Sequence, residues 1–126
     1  MLAMGDDAAA NLRVLVAEDE FFVGLMLAEN LRDSGWEVVG PFASLDELMR
    51  AAAAERFDIA VLDVNLNGTM VFPALEAIAL RGRPAILVTG YGAHAIQKGT
   101  KIEAVFAKPY DYAVLEAQIR KSTGRE

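Results

Sequence analysis

Val61-Leu62-Asp63-Val64-Asn65-Leu66-Asn67-Gly68 is the stretch on which the reading of the chain turns. The run from Ile59 to Leu62 is apolar and carries β-branched residues, as a buried strand requires, and it meets Asp63 just where the turn formers Asn65, Asn67 and Gly68 begin. Asp63 is therefore expected at a strand's carboxyl end. In an open α/β sheet that edge holds the ligand crevice, because the loops there leave a space that the helices do not fill. An Asp in this place also has a plain reading, an Asx turn in which the carboxylate caps its own loop. The partners supplied by the rest of the chain decide between the two.

Upstream, Leu12 to Ala17 forms a first strand that ends in Glu18-Asp19-Glu20. Phe21 to Ser34 follows with helical spacing, through either Phe22, Met26 and Glu29 or Val23, Leu27 and Leu31. Asp19 or Glu20 could cap this helix, but three adjacent acids exceed what a cap requires. Gly35 is a natural stop, Trp36 to Val39 is a short second strand ending at Gly40-Pro41, and Ser44-Leu45-Asp46-Glu47 has the capping-box spacing for a helix to about Glu55. Downstream, Val71 to Leu80 is a helix with Pro73 in its first turn, ended by Arg81-Gly82-Arg83-Pro84. Ala85 to Val88 is the fourth strand and runs into Thr89-Gly90-Tyr91-Gly92. From Ala93 to Lys98 there are few apolar anchors before Gly99-Thr100, so the fourth helix is expected to be short or mobile. Glu103 to Ala107 is the fifth strand, ended by Lys108-Pro109, and Tyr110 to Lys121 is an amphipathic closing helix with Leu115 and Ile119 inward.

Five strand–helix alternations predict one α/β domain with a doubly wound five-stranded parallel sheet and right-handed connections. Residues 1–11 read as a flexible leader, 12–121 as the domain and 122–126 as a tail. A chain of 126 residues, 54% hydrophobic, can bury one proper core without staples. The absence of cysteine excludes a disulfide framework and thiolate metal sites, and agrees with a reducing, cytoplasmic setting. No apolar stretch approaches the roughly 20 residues that span a bilayer. A net charge of -6 works against direct nucleic-acid binding.

Each strand but the second delivers polar groups to one edge: Glu18 and Asp19, then Asp63, Thr89 and Lys108. In the strand order 2-1-3-4-5 the crevice lies between the first and third strands, which makes Asp19 and Asp63 neighbours. Carboxylates so close repel unless a cation neutralises them, and oxygen ligands with open positions suit Mg²⁺. Asp63 is then placed as a carboxylate nucleophile toward phosphorus, with Lys108 and the Thr89 hydroxyl on the transferred oxygens.

This ordered set resembles the two-component response-regulator receiver domain, with the likeness running from Leu12 to about Lys121. The resemblance implies a flavodoxin-like (βα)5 fold, with Asp63 as phosphoacceptor, Asp19 as a direct Mg²⁺ ligand and Glu18 acting through water. It also makes the Asn65 carbonyl a ligand, Thr89 the switch hydroxyl and Lys108 the phosphate-binding lysine, joined to Pro109 by a cis bond. A histidine kinase or phosphotransfer protein would be the donor and a downstream signalling protein the target. No separate substrate is turned over; the domain promotes its own phosphotransfer and autodephosphorylation.

Two departures stand out. Receivers usually carry Tyr or Phe three residues before the lysine, where this chain has Val105, with Phe106 on the opposite side of the strand. Ile86-Leu87-Val88-Thr89-Gly90-Tyr91-Gly92, with Asp63-Val64-Asn65-Leu66, is similar to the "FAT GUY" subclass, whose signalling is associated with an atypical fourth-helix region. Tyr91 is accordingly expected to take part of the role of the missing aromatic, while His94 reads as an exposed loop side chain. The chain length predicts a stand-alone module that acts on another protein. The main rival is a receiver-like interaction domain that works without phosphorylation, which Val105 allows and the complete acid, Thr and Lys set opposes. An aspartyl-phosphate phosphatase would need a second acid just beyond Asp63, and Val64 and Asn65 do not supply one.

Overall fold

A computed structural model describes residues 11–90 and 102–125. The expectations for Tyr91, His94 and the fourth helix lie outside these residues, as does most of the leader. The described elements are β1 Arg13–Ala17, α1 Phe21–Asp33, β2 Glu37–Phe42, α2 Leu45–Ala54, β3 Ile59–Asp63, β4 Asn65–Leu66, β5 Thr69–Met70, α3 Phe72–Leu80, β6 Ala85–Thr89, β7 Ala104–Ala107 and α4 Tyr112–Thr123. A five-stranded parallel sheet runs in the order β2-β1-β3-β6-β7, the expected 2-1-3-4-5 arrangement, and β4 and β5 form a separate antiparallel hairpin.

Alternation along the central strands divides the core in two. Leu15, Ala60, Leu62 and Leu87 face Leu48, Ala52, Leu75 and Ile78 of α2 and α3. Val14, Val16, Val61, Ile86 and Val88 face Leu27, Leu31, Leu115 and Ile119 of α1 and α4. Every residue of β3 and β6 is buried, which is why both read as continuous apolar runs up to their final polar residue. Asp63 and Thr89 are those final residues, so the core itself fixes where the two side chains emerge.

The differences from the expected elements have physical causes. β2 does not stop at Gly40-Pro41 but continues to Phe42, through a register shift that pairs Leu15 with Val39 and Ala17 with Phe42. Gly40 permits this: its φ is +113°, and a Cβ there would lie 2.5 Å from the Val16 carbonyl oxygen. The Phe42 carbonyl consequently accepts the Glu18 N–H at 2.9 Å. On α1 the Leu27 and Leu31 face is the buried one, joined by Gly24 and Ala28, while Phe22 and Met26 stay exposed. Glu20 takes the N-cap position of α1 without a side-chain cap, so neither Asp19 nor Glu20 is used for capping. Ser44 does cap α2, its Oγ accepting the Glu47 N–H at 3.2 Å and donating to Glu47 Oε1 at 3.2 Å. That second bond replaces the return bond of a full capping box. The β4–β5 hairpin turns at Asn67 and Gly68, with φ of 53° and 90°. Asn-Gly between two short extended pairs is the dipeptide that two-residue turns with positive φ prefer.

Candidate phosphoacceptor and metal site

Among the described residues, the buried polar side chains are Glu18, Asp63 and Thr89, and all three stand at the carboxyl edge of the sheet. Burying a charge costs heavily unless it is paired. The pairing is supplied by Lys108, just past β7, whose Nζ donates to Glu18 Oε1 and to Asp63 Oδ2, each at 2.8 Å. Glu20 Oε1 lies further off, at 3.9 Å. Lys108 is itself set by its backbone, its N–H donating to the Thr89 carbonyl at 2.9 Å, and its bond to Pro109 is cis. Thus β1, β3, β6 and β7 each contribute to one cluster.

The remaining bonds settle the loop. Asp63 Oδ1 accepts the Asn65 N–H at 3.3 Å, so both readings of this acid hold: one oxygen caps its turn while the other meets Lys108. Glu18 Oε2 accepts the Glu20 N–H at 3.1 Å. Asp19 reaches across the edge, Oδ2 accepting the Asn67 N–H at 2.8 Å, and Asn65 Oδ1 accepts the Gly68 N–H at 2.6 Å. Asn65 also lines the cavity over the acids.

Burial is the largest influence on Glu18 and raises its pKa, opposed in part by the bonds to Lys108 and the Glu20 N–H. For Lys108, burial pulls downward, but the bonds to Asp63 and Glu18 outweigh it and hold the ammonium above its usual range. Tyr110, below the site, is raised by burial and by the charge of Glu18. Lys108 therefore remains charged throughout the physiological range.

Carboxylate oxygens from Glu18, Asp19 and Asp63 lie within 4.8 Å of one another. With Glu20 close by, four acids face one lysine, and the local charge stays negative. All-oxygen donors with excess negative charge fit a hard divalent cation such as Mg²⁺. An open cavity of about 460 Å³ lies over them, lined by Asp19, Glu20, Asp63, Asn65, Asn67 and Lys108. Glu18 does not line it and is bonded to Lys108, which does.

Glu18, Asp19, Asp63, Asn65 and Lys108 are thus brought together, and Thr89 ends the adjacent strand. Val105 packs toward the α2–α3 side of the sheet, whereas Phe106 turns to the other side and meets Tyr110 edge-on, with ring centres 6.2 Å apart. The expected separation of these two residues is observed. Sequence reasoning missed the Asn67 N–H as the partner of Asp19, although Asn67-Gly68 carried the signal for the turn that creates it.

Fold and site define a class, and the family comparison agrees: a model described as response regulator receiver domain matches residues 14–120. The chain belongs to that family. It is similar to the transcriptional regulatory protein PdtaR of Mycobacterium tuberculosis, 28% identical over 123 residues, covering 94% of this chain and 60% of PdtaR. Among solved structures it resembles a CheY-like receiver domain protein from Methanospirillum hungatei JF-1, with a TM-score of 0.83, 24% identity and coverage of 91% and 95% of the two chains. It also resembles the signal receiver domain of a modulated diguanylate cyclase from Desulfovibrio desulfuricans G20, with a TM-score of 0.81, 25% identity and coverage of 91% and 95%.

Proposed function

We propose that this chain is the phosphoacceptor module of a two-component phosphorelay, taking a phosphoryl group onto Asp63 from a phosphohistidine of a kinase or phosphotransfer protein. The observation that carries this reading is the pairing of a buried strand-end carboxylate, Asp63, with the Lys108 ammonium at 2.8 Å beneath an open cavity. An Asp63 carboxylate oxygen attacks phosphorus; the O–P bond forms as the P–N bond breaks, and imidazole, protonated on its other ring nitrogen, leaves with the electron pair of that bond. Lys108 has three N–H donors and can turn from the carboxylates to the phosphoryl oxygens without leaving its place. Thr89 supplies a hydroxyl from the next strand end. Asp19, Asp63 and the Asn65 carbonyl would hold Mg²⁺, with Glu18 acting through water. The ion supplies positive charge to the transferred oxygens.

The output we assign to the face built from the fourth and fifth strand–helix units, where Thr89 leads into the Gly90-Tyr91-Gly92 segment. Two features support a FAT GUY-like switch: the Thr-Gly-Tyr-Gly sequence, and an aliphatic residue, Val105, at the position where receivers usually carry an aromatic. A new phosphoryl group on Asp63 offers Thr89 a charge-assisted hydrogen bond, which biases the segment that follows.

Intact-mass measurement after incubation with Mg²⁺ and acetyl phosphate tests the assignment. The wild type should gain one phosphoryl group and Asp63→Asn none, while staying folded. Labelling of Asp63→Asn to the wild-type extent would refute it.

A further inference from the structure

Gly24 stands inside α1 and is buried, although glycine within a helix is less stable than alanine. The reason lies in what surrounds it. A Cβ at this position would be 3.3 Å from Pro41 Cβ and 3.4 Å from both Glu18 Cγ and Pro41 Cγ. The stem of the buried acid thus lies against bare helix backbone. Both neighbours are tied to other parts of the fold. Pro41 follows Gly40, where the Val16 carbonyl occupies the space a side chain would need. Glu18 is held at three points: Oε1 by Lys108, Oε2 by the Glu20 N–H, and its own N–H by the Phe42 carbonyl.

We infer that Gly24 is a positioning residue for the phosphoacceptor site, its missing side chain reserving the space in which Glu18 is held under Lys108 and beside Asp63. The inference rests on the proposed function and deepens it. A methyl group at position 24 would meet Pro41 at 3.3 Å, tighter than ordinary contact, and the Glu18 stem at 3.4 Å, the near limit of ordinary contact, so a shift that relieves Pro41 carries onto the stem. Lys108 follows, because a single Nζ bonds both Glu18 and Asp63. The site is therefore built from the β2 bulge upward: Gly40 lets the strand close in, Pro41 comes up against α1, and Gly24 leaves room for the acid.

The test is a double-mutant cycle of Gly24→Ala and Glu18→Ala, read both in thermal and urea stability and in the rate of Asp63 labelling by acetyl phosphate. Gly24→Ala favours the helix, so its Tm should stay within a few degrees of wild type. Its labelling should nevertheless slow by about tenfold, since small misplacements in such sites cost up to ~100-fold. In the Glu18→Ala background the same change should raise Tm by more than it does in the wild type, because the stem it would touch is gone. That stability arm stands whatever labelling rate Glu18→Ala retains. Unchanged labelling in Gly24→Ala overturns the inference, and so does an equal Tm shift in both backgrounds, which would mean simple packing against Pro41. A wild type that takes no phosphoryl group overturns the phosphoacceptor reading instead, and this inference with it.

Discussion

The two edges of the sheet use the same residue types for opposite ends. At the amino edge, Arg13 pairs with Glu37 at 2.9 Å and Glu55 at 3.5 Å, its N–H donates to Asp58 at 2.9 Å, and Arg56 lies 3.9 Å from Asp58. Two cations there face three acids. Glu37 and Glu55 keep about half of their side-chain surface in water, at 47% and 50%. At the carboxyl edge one lysine faces four acids, and Glu18 and Asp63 expose only 4% and 10% of their side chains. Water screens the first network and makes it a structural fastening of small net worth. The second carries an excess of buried charge that folding alone gives no reason to keep. Such excess is the mark of a site whose stability has been traded for chemistry.

The largest effect expected from this contrast is on removing each edge's central cation. Lys108→Ala leaves two buried carboxylates facing each other and should cost about 3 kcal/mol in urea denaturation. Millimolar Mg²⁺ should restore a good part of that loss by taking over the neutralisation. Arg13→Ala should cost about 1 kcal/mol, with no recovery on adding Mg²⁺. Equal costs for the two variants, or an equal response to Mg²⁺, would erase the distinction between the edges.

A smaller difference should appear in pH dependence. Burial raises the pKa of Glu18 above the 4.5 of the unfolded chain, so between 4.5 and the higher folded value the native state binds more protons. Stability contributed by this group is therefore present at low pH and declines as pH rises through that window. Glu18→Gln should flatten the decline, and Arg13→Ala should leave it in place. Urea midpoints measured in steps upward from pH 4 check both. A steeper decline in Glu18→Gln would reverse the sign and refute the burial account.

The legibility of the two edges differed as well. The carboxyl edge was readable because each buried strand ends abruptly in a polar residue: Asp63 after Ile59 to Leu62, and Thr89 after Ala85 to Val88. An apolar run has one register in which it can be buried, and that register decides where the next side chain emerges. What stayed hidden depends on contacts between residues far apart in sequence. The bond from the Asn67 N–H to Asp19 spans 48 positions, and no local pattern announces it. The continuation of β2 past Gly40-Pro41 was hidden for the opposite reason, since that dipeptide signals a stop unless a neighbouring strand accepts the bulge.

The smallest expected effect offers the cleanest contrast, because the edges contain a matched pair of glycines. Gly68 turns the hairpin at the carboxyl edge with φ of +90°, and Gly82 turns the chain into β6 at the amino edge with φ of +72°. Neither has a heavy atom within 4 Å of where a Cβ would stand, so alanine meets no clash at either site and pays only for the left-handed backbone. Both variants should lose about 1 kcal/mol of stability. Their consequences for the site should separate. Gly68 donates to Asn65 Oδ1 at 2.6 Å and follows Asn67, whose N–H holds Asp19 at 2.8 Å. Relaxing that turn loosens the orientation of Asp19 at the carboxyl edge, whereas Gly82 touches nothing there. Mg²⁺ titration should give about threefold weaker binding for Gly68→Ala, less than the roughly tenfold typical of deleting an outer partner of a metal ligand, because the N–H is displaced and not removed. Gly82→Ala should bind Mg²⁺ as the wild type does. Equal weakening in both would trace the effect to global stability, and Asp19 would then owe its place to β1 alone.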